Sequence, residues 1–90
     1  MTVVEISEDG TMKKTVLGKN VLADHKVQYT VKAGTWFGSY PNKGSKFSFV
    51  GCTVAPGFEF RDFELASRAA LLKAFPQHSE DIERLTNGLP

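Results

Sequence analysis

Three carboxylates near the middle of the chain are the best candidates in the sequence for a catalytic acid–base pair. Glu59, Asp62 and Glu64 alternate with three phenylalanines over residues 58–64. Paired carboxylates can divide the roles of general acid and general base. Acidic side chains on the wet side of an aromatic strand or turn explain the same pattern, and we favour this interpretation because the rings need a core. We therefore assign no catalytic residue.

The histidines and the single cysteine are the other side chains with metal-binding or nucleophilic chemistry. His25 and His78 are far apart, and neither has another histidine or a cysteine at ligand spacing. A zinc site needs three or four converging ligands. Cys52 stands in an apolar run without a neighbouring histidine or lysine, which favours a buried, inert thiol. The sequence thus predicts no metal site and no cofactor.

Composition restricts the partners of the protein. The chain has 90 residues, enough for one domain, and its 11 basic against 10 acidic residues give a net charge of +1 without a basic run. Nucleic acids and membranes are therefore not expected partners. A single cysteine and the absence of a signal-like segment after Met1 predict a cytoplasmic protein.

Hydrophobic periodicity predicts the strands that position these side chains. Thr2–Ser7 and Met12–Leu17 form a hairpin across a turn of acidic residues and glycine. Lys26–Lys32 alternates with Val27, Tyr29 and Val31 on one face, and Thr35–Tyr40 is an aromatic-rich strand. These patterns indicate antiparallel strands through the first half of the chain.

The central strand is predicted at Lys46–Val54, where small or apolar residues occupy both alternating sets. Such a pattern is typical of a strand covered on both faces. Five of the seven phenylalanines lie within residues 47–65. We expect the core of the protein to be concentrated there.

After Phe58 the hydrophobic periodicity changes from that of strands to that of helices, which predicts two short helices. Ser67 is the expected N-cap of a helix over Arg68–Phe75, and a second helix is expected from Ser79 to about Thr86, ended by Gly88. The predicted domain, residues 1–90, has strands over about 1–65 and a helical segment over 66–90. This describes an all-β sandwich or barrel with a helical lid; the alternative is a small α+β sheet with helices on one face.

Two runs of residues resemble a known family. Val31-Lys32-Ala33-Gly34-Thr35-Trp36-Phe37 and the longer run from Phe49 to Leu65, with its Gly-Cys-Thr-Val-Ala-Pro-Gly-Phe core, resemble the C-terminal half of cupin 5. This is a branch of the cupin superfamily with no agreed function. The resemblance implies a double-stranded β-helix, or jelly roll, shared with the dTDP-sugar epimerases and usually dimeric. It also implies a truncated barrel, since the first metal motif of the family would precede Thr2.

The second metal motif of the cupins is altered in this chain. The family pattern is roughly Pro-x-Gly-x-x-His followed by an asparagine, and the matching positions hold Lys32, Gly34, Phe37 and Pro41. A phenylalanine stands where the metal histidine would be, so the resemblance implies a metal-free barrel. We expect Phe37 to fill its interior, so that Phe37→Ala costs about 3–5 kcal/mol.

Two functions are compatible with the resemblance. The first is a metal-free barrel domain that is small-molecule-binding or non-catalytic, with a lumen formed by Thr35, Phe37, Ser39, Cys52 and Thr53. The second is a remnant half-cupin or assembly module that completes its sheet by homodimerisation, through the edge of its first strand. A sugar-epimerase-like enzyme is a weaker third interpretation, because the sequence supplies no obvious general base.

Overall fold

The architecture comes from a computed structural model that describes residues 1–87. In this part the strands are β1 (Thr2–Ile6), β2 (Met12–Val16) and β3 (Trp36–Tyr40), and the α-helices are α1 (Arg68–Ala74) and α2 (Ser79–Leu85). Short 3₁₀ turns occur at Val21–Ala23, Phe60–Asp62 and Pro76–His78. Gly88, predicted to end α2, lies outside the described residues. Neither helix has the length and apolar character needed to cross a lipid bilayer.

The strands form an antiparallel sheet in the order β2-β1-β3. The predicted hairpin is confirmed: Gly10 takes a positive φ of 87° in its turn, and the Asp9 carboxylate accepts a hydrogen bond from the Thr11 amide at 2.9 Å. β1 is paired along its whole length on both sides. The expectation that the first strand offers a free edge to a partner is therefore wrong.

One face of the sheet is covered by the helices. Residues directly opposite one another in the register share a face of the sheet. The helix face therefore includes the alternate residues Val4, Ile6, Met12, Lys14, Trp36, Gly38 and Tyr40. Ile6 packs with Leu71 of α1 and Ile82 of α2 in the buried core, and Trp36 and Phe75 lie against that cluster. The core therefore sits between one sheet face and two short helices.

Helix α2 approaches the sheet closely at Gly38. A Cβ atom at Gly38 would lie 3.3 Å from the Leu85 methyl carbons, so glycine makes room for the helix. Lys14 Nζ lies 3.1 Å from the Asp81 carboxylate, and this pairing raises the pKa of Lys14 above its ordinary 10.5. Arg84 stacks on the Tyr40 ring with its guanidinium carbon 3.6 Å from the centroid.

The ends of the helices are set by local contacts. Ser67 caps α1, as predicted, and accepts a hydrogen bond from the Ala70 amide at 3.4 Å. Ser79, predicted as the cap of α2, is instead the first residue of that helix, because the Pro76–His78 turn runs directly into it. The His78 ring donates from Nε2 to the Gly10 carbonyl at 2.7 Å and so ties the helices to the hairpin turn.

The predicted all-β jelly roll is not what residues 1–87 form. They make a three-stranded sheet with helices on one face and no closed barrel, which is the α+β alternative. The strand expected over residues 26–32 is reduced to a single bridge between Leu17 and Lys26. β1 already has neighbours on both sides, so a further strand has only outer edges to join.

The prediction of a doubly covered central strand over 46–54 is also wrong. These residues form no strand, and Phe49 is 94% exposed. A strand buried on both faces needs two covering layers, and the described chain provides one small sheet whose helix face is already occupied. We call residues 47–65 the aromatic segment. Within it the Phe58 ring contacts the rings of Phe60 and Phe63, with the Phe58 and Phe60 centroids 5.1 Å apart. The chain by itself leaves this segment exposed.

Candidate functional site

A buried carboxylate stands at the centre of the sheet. Glu5 lies in the middle of β1 and is only 8% exposed. An acidic side chain is rarely buried to this degree without a partner, because removing a carboxylate from water is costly. The Tyr29 hydroxyl supplies the partner and donates to Glu5 Oε1 at 2.5 Å. A buried carboxylate held by a tyrosine hydroxyl is a candidate functional group.

Glu5 projects from the side of the sheet opposite the helices. The register places Lys13 of β2 on one side of it and Phe37 of β3 on the other. We call this side the Glu5 face, which is made by the alternate residues Val3, Glu5, Lys13, Thr15, Phe37 and Ser39. It combines a negative charge, a positive charge, hydroxyl groups and an aromatic ring.

Lys13 and Tyr29 extend the site beyond Glu5. Lys13 Nζ lies over the Tyr29 ring, 5.1 Å from its centroid. Interaction with the Tyr29 side chain, and more weakly with the Glu5 charge, raises the pKa of Lys13 above its ordinary 10.5. Lys13 is therefore a cation at neutral pH. Tyr29 thus contacts both charged groups from the connector that follows β2.

The predicted lumen residues are only partly brought together. Phe37 and Ser39 lie on the Glu5 face, and Thr35 immediately precedes β3. Phe37 is 65% exposed, so the expectation that it fills an interior is wrong, and so is the packing cost derived from it. Cys52 and Thr53 are exposed in the aromatic segment, and the inert thiol predicted to be buried is accessible.

A larger cleft of about 570 Å³ opens on the helix side, between β3, α2 and residues 62–66. Two of the suspected catalytic carboxylates, Asp62 and Glu64, line it together with Thr35 and Trp36. The third, Glu59, instead forms an ion pair with Arg61. The structure therefore does not bring the three acids together as a catalytic group.

The donor groups do not fit a metal ion. Within residues 1–87, no three histidine, cysteine, aspartate or glutamate side chains converge. The His78 ring is hydrogen-bonded to the Gly10 carbonyl, and the His25 ring packs so closely on Gly18 that a Cβ atom there would clash with it. Phe37, which stands where the resemblance implies a metal histidine, has no ligand atom.

The residues that sequence reasoning missed are Glu5, Lys13 and Tyr29. A signal was present: Glu5 is the one charged residue in the otherwise apolar core of the first strand, and Tyr29 falls on the apolar set of an alternating segment. The two are 24 positions apart. Their contact follows from the path of the connector, which periodicity does not predict.

The model of the family described as Cupin superfamily (DUF985) matches residues 1–66, which include all three strands and the site around Glu5. No curated protein and no solved structure gives a significant match to the chain.

Proposed function

The chain belongs to the cupin superfamily, in the branch described as DUF985, and we propose from this premise that it binds a small molecule without a metal ion. The ligand would lie on the Glu5 face. The observation that carries the proposal is the buried Glu5 carboxylate, held by the Tyr29 hydroxyl and flanked by Lys13 and Phe37. The family alone would not support the proposal, because one fold serves many functions.

The chemistry of the face defines what would fit. Lys13 offers a charged donor and the exposed Phe37 ring an apolar surface, with the buried Glu5 carboxylate between them in the register. Binding sites commonly combine an apolar wall with a few polar groups that orient the ligand. A small polar molecule with one apolar side matches this arrangement. In this proposal Phe37 is a binding surface rather than packing.

Phe37→Ala is expected to leave the melting temperature nearly unchanged, because the ring is mostly exposed and loses little packing. The same change should weaken retention of a small ligand by about tenfold, equivalent to roughly 1.4 kcal/mol of lost contact. Native mass spectrometry of the purified 90-residue chain measures retention. Leu22→Ala is the control, since it truncates an almost fully exposed apolar side chain that belongs neither to the Glu5 face nor to the aromatic segment.

Two results would contradict this proposal. A large drop in melting temperature for Phe37→Ala would restore the packing interpretation. A stoichiometric transition metal that resists dialysis, detected by elemental analysis of the same preparation, would show that binding depends on metal after all.

The exposed aromatic segment favours a second candidate function, an assembly module. Phe47, Phe49 and Phe60 present large apolar surfaces that soluble monomers seldom leave uncovered. A second copy of the chain could cover them, and two copies together could build the jelly roll that the family implies.

The accessible Cys52 thiol suits the reducing cytoplasm, where we propose that the domain acts.

Sedimentation at micromolar concentration is expected to show a homodimer rather than the 9.9 kDa chain. Replacing Phe49 by serine should shift the equilibrium towards the monomer, because it removes apolar surface from the contact. Thr30→Ser, at another exposed position, serves as the control. A wild-type chain that sediments purely as a monomer would exclude this candidate.

A further inference from the structure

A second, smaller cleft lies between β2 and the connector that carries Tyr29. Its volume is about 270 Å³. Lys13, Lys14 and Lys26 line it against a single acid, Asp24, so its lining carries an excess of positive charge. Lys13 and Thr15 belong to this lining as well as to the Glu5 face, which makes the two continuous.

The three lysines of this cleft differ in the ion pairs that they form. Lys14 reaches across the helix face to Asp81. Lys26 Nζ lies 3.6 Å from Asp24 Oδ1, and both side chains are largely exposed, so this pair is weak and easily opened. Lys13 takes part in none of the ion pairs found within residues 1–87. Lys13 and Lys26 are therefore the ammonium groups available to an incoming anion.

A buried hydroxyl completes the set of donors. Thr15 is 7% exposed and lines the cleft, and its Oγ1 has no hydrogen-bond partner among the described residues. A buried polar group without a partner is unfavourable and calls for an explanation. Since Thr15 lines the cleft, a change of its χ1 rotamer would be needed to turn this hydroxyl towards a ligand atom there.

We propose that this cleft binds an oxyanion, a phosphate or carboxylate group of the small ligand, through the Lys13 and Lys26 ammonium groups and the Thr15 hydroxyl. This inference rests on the proposed function and deepens it, since it gives the ligand a negative charge. Ammonium groups and a hydroxyl are donors that suit an oxyanion, and lysine is a common phosphate-binding residue. Asp24 is almost fully exposed and can swing away from Lys26.

The test is a titration of the ¹⁵N-labelled 90-residue chain with inorganic phosphate at constant ionic strength, followed by amide chemical shifts. Saturable shifts are expected within β2 and over residues 23–29. Lys13→Gln should weaken phosphate binding about tenfold, because it removes a charge-assisted hydrogen bond. Lys43→Gln, which makes the same charge change at an exposed turn, should leave the affinity unchanged. Equal weakening by both variants, or shifts that do not saturate, would overturn the inference.

Thr15→Val separates binding from folding. It should weaken phosphate binding while raising the melting temperature, because it deletes a hydroxyl that has no partner in the unliganded fold. Unchanged phosphate affinity in this variant would contradict the role of Thr15. A parallel titration with acetate distinguishes the source: tighter phosphate binding indicates a phosphorylated ligand, and comparable acetate binding indicates a carboxylate.

Failure of this inference can be told apart from failure of the proposed function. A retained ligand whose mass identifies a neutral compound would overturn the oxyanion assignment while supporting binding on the Glu5 face. The opposite outcome would combine two results: saturable phosphate binding that is lost in Lys13→Gln, and ligand retention by Phe37→Ala equal to that of the wild type. Together they would support the anion site but not binding on the Glu5 face.

Discussion

Ile82→Ala is expected to lower the free energy of unfolding by about 2–5 kcal/mol, the usual cost of truncating a fully buried aliphatic side chain. Ile82 is 2% exposed and packs with Ile6 of β1 and Leu71 of α1, so it joins both helices to the sheet. A domain of this size has a total stability of roughly 5–13 kcal/mol. The substitution therefore removes a large share of the stability that holds β1, and with it Glu5, in place.

Urea denaturation followed by circular dichroism measures this loss. Leu22→Ala is the control, because Leu22 is almost fully exposed and its truncation should change stability by less than about 0.5 kcal/mol. Equal effects of the two substitutions would mean that α2 does not pack on the sheet as described.

Tyr29→Phe is expected to cost about 2–3 kcal/mol of stability, although it deletes only one oxygen atom. The hydroxyl donates to a carboxylate that is 8% exposed, and its loss leaves that charge buried without this partner. Tyr40→Phe is the matched control, since the Tyr40 ring keeps its stacking with Arg84 when the hydroxyl is removed. That control should be nearly neutral.

A double-mutant cycle assigns the effect to the Glu5–Tyr29 contact. Glu5→Leu removes the buried charge, so adding Tyr29→Phe to that variant should cost much less than it does in the wild type. If Tyr29→Phe costs the same in both backgrounds, the hydroxyl is not the group that holds the carboxylate. The same variants should alter ligand retention, because both residues belong to the proposed site.

Elements that are stabilised by contacts between near neighbours in the chain are predictable from the amino-acid sequence. The turn Glu8-Asp9-Gly10 specifies the hairpin, since glycine provides the positive φ and Asp9 bonds to the amide two residues on. Ser67 begins α1 for a similar reason, because a cap bonds to an amide within the first turn. The family, too, was recognisable from the runs around Gly34 and Cys52 and is confirmed over residues 1–66.

Long-range contacts, which the sequence pattern does not reveal, set which strand is central, which segment is exposed and where the charged site lies. Alternation of apolar residues indicates that a segment can pair with another strand and that one of its faces can be covered. It does not indicate which segment pairs with it or covers it. β1 took the central position because β2 and β3 both pair with it, and the aromatic segment was left without a covering layer. Glu5 and Tyr29 meet across 24 residues because the connector folds over the sheet, a long-range contact that no local pattern encodes.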